Sequence, residues 1–117
     1  MDRDDLTEKT QQYGEIVKGI LREIATIKPS FGEVETEFIC DDSQGHYEIS
    51  YVGWDRRGRV HGSVIHIDIR NGKVWLQHDG TNLEIAQQLL DAGIPREHIV
   101  LGFQPPNMRK HTPFAVA

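Results

Sequence analysis

The sequence has a single cysteine, Cys40, among its 117 residues. That excludes an internal disulfide and any cysteine-based zinc site within one chain. No apolar run approaches the roughly 20 residues that a membrane span requires. The start, Met1-Asp2-Arg3-Asp4-Asp5, is acidic and lacks the basic and apolar regions of a signal peptide. There is no Walker loop, dinucleotide fingerprint or nucleophile elbow. Internal repeats, long linkers and low-complexity tracts are also missing. A cytoplasmic location and a single domain over residues 1–117 are therefore expected.

Positive charge is in short supply too. Thirteen Lys and Arg stand against eighteen Asp and Glu, a formal charge of −5, which argues against a stand-alone nucleic-acid binder. The imbalance lies in the first part of the chain. Residues 1–50 carry five basic and twelve acidic side chains, whereas residues 51–117 carry eight and six. Five of the six histidines, His61, His66, His78, His98 and His111, also fall in the second part. Such asymmetry can mark an interaction surface.

Apolar residues are 38% of the chain and their spacing predicts the elements. Leu6, Tyr13, Ile16, Val17, Ile20, Leu21, Ile24 and Ile27 recur at three- and four-residue steps, predicting an amphipathic helix from about Asp4 to Ile27. Asp4 and Asp5 suit its positive end. Gly14 and Gly19 each weaken it by roughly 1 kcal/mol, which is tolerable where a neighbour must approach closely.

Four strands follow. Val34, Thr36, Phe38 and Cys40 alternate with Glu33, Glu35, Glu37 and Ile39, which makes Cys40 a buried small hydrophobe. Tyr47–Trp54, Arg59–Arg70 and Lys73–Asp79 are the others, separated by the turns at 41–45, 55–58 and Asn71-Gly72. The last reads as a two-residue type I′ hairpin. It sets Arg70 opposite Lys73, Asp68 opposite Trp75, His66 opposite Gln77 and Ile65 opposite His78. Ile65, Ile67, Ile69, Val74 and Leu76 then form a core face with His78 at its end. The other face carries His66, Asp68, Arg70, Lys73, Trp75 and Gln77. Trp75 among charges implies that another element covers it or that it anchors a contact.

A second helix starts near Thr81, which has capping-box spacing to Glu84. Ile85, Ala86, Leu89 and Leu90 form its apolar face, and Gly93 and Pro95 end it. Ile99-Val100-Leu101 is β-prone, an edge segment or further strand. The apolar end, Phe114 to Ala117, should dock on its own fold or on a partner. The fold expected is α+β: a long N-terminal helix packed on a four-stranded antiparallel meander, then a short helix and an apolar tail.

Histidines are the only group to weigh for metal or catalysis. His61 and His66 are five apart on one predicted strand, so they point to opposite faces, as His66 and His78 do by the hairpin register. His66 and Asp68 share a face, but two ligands without a third make a weak site. No catalytic, cofactor-binding or metal residues are therefore assigned. His66, Asp68, Trp75 and Gln77 are a candidate partner surface. Arg56, Arg57, Arg59, Arg109 and Lys110 make a candidate basic patch if hairpin and tail converge. A small enzyme using His61 or His66 with Asp68 or Asp79 ranks last, because acid–base chemistry needs groups that converge.

Several segments in order carry a family resemblance. They are Val52-Gly53-Trp54, Arg59-Val60-His61-Gly62, His66-Ile67-Asp68-Ile69, Lys73-Val74-Trp75-Leu76-Gln77 and Asp79-Gly80-Thr81. Gly93-Ile94-Pro95, Ile99-Val100-Leu101-Gly102-Phe103, Pro106, Arg109 and Thr112-Pro113-Phe114-Ala115-Val116 continue the series. Together they resemble the XisI family over essentially the whole chain. Asn82 departs from the acidic residue expected there. The resemblance implies an α+β fold with no assigned catalytic residues. It also implies an accessory, regulatory role in programmed excision of the fdxN element by site-specific recombination in heterocyst-forming cyanobacteria, and a XisH-like partner that resembles a nuclease. Three readings follow: a non-catalytic regulator acting through that partner, an inhibitor or antidote of it, and a direct DNA-binding accessory factor. A homodimer is plausible from the Trp75 face and the apolar tail.

Overall fold

The computed structural model describes residues 3–117, with side chains from Thr7 onward. Asp4, Asp5 and Leu6, assigned above to the helix start and stripe, therefore have side chains outside the described residues. Helix α1 spans Arg3–Ala25. Its stripe is buried at Tyr13, Val17, Leu21 and Ile24. The helix stops two residues short of expectation: Thr26 and Ile27 donate to the carbonyls of Glu23 and Ile24 in a tighter final turn. Ile27 is consequently exposed. Gly14 permits the close approach foreseen for it, since a Cβ there would lie 2.8 Å from the Tyr47 hydroxyl, whereas one at Gly19 would meet nothing within 4 Å.

Strands β1 (Glu33–Asp41), β2 (His46–Asp55), β3 (Gly58–Arg70) and β4 (Lys73–Asp79) form the antiparallel meander. The sheet has five strands rather than four. Ile99–Leu101, β5, runs parallel to β4, with helix α2 (Ile85–Asp91) in the connection. A parallel return needs such a crossover. Ala115 then bridges to Val100, and its N–H donates to the Ile99 carbonyl at 2.8 Å. The apolar tail thus docks on its own sheet, with Phe114 against the core.

One face of the sheet holds the core. Tyr47, Ile49, Ile65, Ile67, Val74, Leu76 and Ile99 meet α1 and the α2 residues Ile85 and Leu89, all nearly inaccessible to water. Polar groups tie the seam at its edge. The Lys18 ammonium donates to Asp42 at 2.9 Å, and the Tyr47 hydroxyl donates to the other Asp42 oxygen at 2.7 Å. Hydrogen bonds from Lys18 and then Tyr47 hold the Asp42 carboxyl below its usual range.

Three local expectations are corrected. Cys40 lies opposite Tyr47 but at the far end of the edge strand, and is exposed rather than buried. The capping box does not form. Glu84 sits at the helix start with positive φ and no side-chain cap bond. Asp79 does the work instead, accepting from the Thr81 N–H and hydroxyl at 2.9 and 2.6 Å and from the Ile85 N–H at 3.3 Å. An aspartate ahead of the loop satisfies donors in both turn and helix, so Thr81 and Glu84 need not pair. The end of α2 is as predicted: Gly93 and Ile94 donate to the carbonyls of Leu90 and Leu89 in a Schellman pattern.

The third correction is register. Asn71, at φ 52°, and Gly72, at φ 75°, make the expected turn, and Arg70–Lys73 and Asp68–Trp75 pair as predicted. Beyond Ile67–Leu76 the ladder slips, and His66 faces His78 while Ile65 faces Asp79. Gln77 is the extra residue of a β-bulge. His78 is therefore exposed opposite His66 instead of closing the core face. A second slip lies between β2 and β3, where Ser50 pairs with Ser63 but Ile49 pairs with Ile65, leaving Val64 extra. That bulge restores His61 and His66 to one face, though far apart along the strand.

Candidate functional site

The outer face of the sheet gathers the polar residues. On β3, His66, Asp68 and Arg70 alternate with the buried Ile67 and Ile69. Across the β2–β3 ladder, Glu48 stands opposite His66 and His46 opposite Asp68. Asp68 is buried, at 6% exposure, and its carboxylate is the hub. One oxygen, Oδ1, lies 3.0 Å from His46 Nδ1 and 3.1 Å from His66 Nε2. The other, Oδ2, accepts from Arg70 and from Gln77, each at 3.1 Å. The second nitrogen of His46 lies 3.0 Å from Glu48 Oε2, and the two imidazoles meet edge to face at 4.6 Å.

Electrostatics follow from this packing. Burial works to raise the Asp68 carboxyl, but hydrogen bonds from His46, His66 and Gln77 outweigh it and hold the group below the usual range. Glu48 is likewise lowered: burial opposes, and bonds from His46 and Ser63 win. His46 is raised, first by Glu48 against the cost of burial and then by Asp68. A shallow depression of about 470 Å³, lined by Asp41, Gln44, His46, His66, Asp68 and Arg70, opens over the cluster. His46, His66 and Asp68 each offer one ligand atom, all within 4.8 Å of one another.

The four residues of the candidate partner surface are thus brought together, but they are largely engaged with their own chain. Trp75 is half-buried, with the Arg109 guanidinium 5.1 Å and the Arg70 guanidinium 6.0 Å from its ring. It is covered, as one of the two alternatives required. Arg109 itself reaches the carbonyls of Gln104, Val116 and Gly102 and pins the C-terminal segment in place.

The basic residues do not converge. Arg56, Arg57 and Arg59 sit at the β2–β3 turn, where Arg59 lies over the exposed Trp54 at 5.4 Å. Arg109 sits over Trp75, whose partner Asp68 is ten residues along β3 from Gly58. At the usual strand rise that is about 30 Å away. Lys110 follows Arg109 in the same segment.

His46 and Glu48 are the site residues that the sequence did not reveal. Counting back from the Arg56-Arg57 turn without a bulge pairs His46 with Ile67, on the wrong face. Only the extra Val64 moves it opposite Asp68.

A family model described as "XisI protein" matches residues 7–116. The chain belongs to the XisI family. That match runs from the first turns of α1 to the docked C-terminal segment and includes every residue of the cluster. Two solved structures, both from Anabaena variabilis ATCC 29413, are similar. A XisI-like protein shares 41% identity, with 92% of this chain and 99% of that one covered, at a TM-score of 0.85. The fdxN element excision controlling factor XisI shares 34% identity over 93% and 99% of the two chains, at a TM-score of 0.79. No curated protein matches. Among the described residues no helix is long and apolar enough to cross a membrane.

Proposed function

We propose that this protein is an accessory factor controlling excision of an fdxN-type DNA element. In this reading it acts in the cytoplasm without breaking or joining strands itself, by binding a protein partner of the XisH type. The observation that carries the reading is the 34% identity, over nearly the full length of both chains, to a structure described as an fdxN element excision controlling factor. A sheet covered by helices on one face and open over much of the other also favours a binding role. Trp54 and Ile39 stand exposed on that open face, at 60% and 43%. His66, Asp68 and Gln77 lie further along it, with Trp75 beneath Arg109. Aromatic anchors of this kind dominate interface energetics.

Co-expression with a XisH-type protein tests the proposal. A complex surviving gel filtration is expected, weakened at least tenfold by Trp54→Ala with Ile39→Asp. Two separate peaks at micromolar concentration would overturn it. Light scattering that finds two copies of this chain and no partner would assign the surface to a homodimer.

A second reading, antidote to a nuclease-like partner, is favoured by the exposed carboxylates of Glu33, Glu35 and Glu37 along edge strand β1. Such a row offers negative charge to a basic cleft. It requires that the partner's nuclease activity fall on complex formation. Direct DNA binding would instead appear as a gel shift that weakens with salt and with Arg56→Ala plus Arg57→Ala.

A further inference from the structure

We infer that His46, His66 and Asp68 bind one divalent transition-metal ion of the zinc class. The ligand geometry is close to that of an occupied site. In a tetrahedral zinc site with bonds of 2.0–2.1 Å, neighbouring ligand atoms stand about 3.3 Å apart. Here Asp68 Oδ1 is 3.0 Å from His46 Nδ1 and 3.1 Å from His66 Nε2. An ion enters if those two separations widen by a few tenths of an ångström, the two ring nitrogens, within 4.8 Å of each other, settle to the same spacing, and their lone pairs turn inward.

The proton inventory points the same way. A neutral imidazole donates from one nitrogen only. His46 has a carboxylate at each, Glu48 at Nε2 and Asp68 at Nδ1. Doubly protonated, His46 donates to both; neutral, with its one proton given to Glu48, it leaves the Nδ1 lone pair and Asp68 Oδ1 facing each other as two acceptors. A cation between them resolves the clash. The pattern is carboxylate, histidine, metal, in which the outer carboxylate fixes the tautomer and turns the ring toward the ion.

Asp68 is prepared in the same manner. Arg70 and Gln77 hold Oδ2, which leaves Oδ1 as a single ligand atom. The side chains stand on two paired strands rather than on a loop, so their spacing is set by the ladder. Three protein ligands leave one position open toward the depression lined by Asp41 and Gln44. Water or a partner's side chain would complete it. Two imidazoles and one carboxylate suit zinc, nickel or copper, and are poor ligands for magnesium or calcium, which take oxygen.

The test uses the tag-free, chelator-stripped chain, titrated with zinc chloride by calorimetry and with cobalt chloride by visible absorption. One ion per chain is expected, with the cobalt bands of a four-coordinate site. His46→Gln and His66→Gln should each abolish the one-to-one step. Glu48→Gln, which removes only the positioning carboxylate, should keep the stoichiometry and weaken binding 10- to 100-fold. His111→Gln is the control and should change nothing. Ring-nitrogen correlation spectra of the unmodified chain should shift at His46 and His66 on adding zinc. No zinc uptake, uptake that survives both histidine substitutions, or unmoved His46 and His66 signals would overturn the site. The ring spectra decide the matter even if a histidine variant fails to fold.

Discussion

Ile67 and Asp68 are neighbours on β3, yet they belong to two different kinds of structure. Ile67 points into a face closed by α1 and α2, where burial needs only apolar volume in the right place. Asp68 points to the opposite face, where burial is tolerable only because four donors converge on one carboxylate. The first environment tolerates a slip of two residues, since Ile65, Ile67 and Ile69 would still present an isoleucine to it. The second does not, because two residues would part His46 from Asp68 and one would send it to the other side of the sheet.

Three measurements press on that contrast, and the core should give the largest effect. Ile67→Ala leaves a cavity at a fully buried position and should cost about 2–5 kcal/mol, read as a lower urea midpoint with an unchanged slope. Asp68→Ala, one residue away, should cost less, about 1–3 kcal/mol, through the donors it orphans. If Asp68→Ala equalled or exceeded Ile67→Ala, the polar face would be the more important half of the fold and the contrast would be inverted.

The smallest effect is expected at the seam between α1 and the sheet. The folded pKa of Asp42 lies below its ordinary 3.8. Its contribution is therefore present above that value and lost as pH falls through the folded pKa. Urea midpoints should decline on the acid side of pH 4, and Asp42→Asn should flatten part of that decline. A variant with the same acid profile as the parent would show that the pair between buried Lys18 and exposed Asp42 is not felt in stability.

Much of the architecture was legible because it depends on period alone. The α1 stripe, the alternation of β1 to β4 and the Asn71-Gly72 turn each involve residues close in sequence. The fifth strand was half legible: Ile99-Val100-Leu101 is plainly β-prone, but its parallel pairing to β4 requires the α2 crossover. Trp75 among charges was a sound signal of something covering it, and Arg109 proved to be the cover. The basic patch failed as one surface because no local pattern reports the length of β2 and β3 between its halves. The cluster on the outer face was legible only as His66 with Asp68. The slip at Val64, which adds His46 and Glu48, leaves no mark in hydrophobic alternation, since Val64 and Ile65 are both apolar.

By itself, then, the sequence determined the family, the α+β class, the core face and the turn that starts the β3–β4 register. These rest on side-chain chemistry repeated at fixed short intervals. Tertiary structure decided the two bulges, the parallel fifth strand with its docked tail, and the meeting of His46, Glu48, His66, Asp68 and Gln77. Bulges are settled by packing of the whole sheet against its helices, and one inserted residue exchanges the faces of everything beyond it. That is why the groups best placed for chemistry in this protein were the ones its linear pattern showed least.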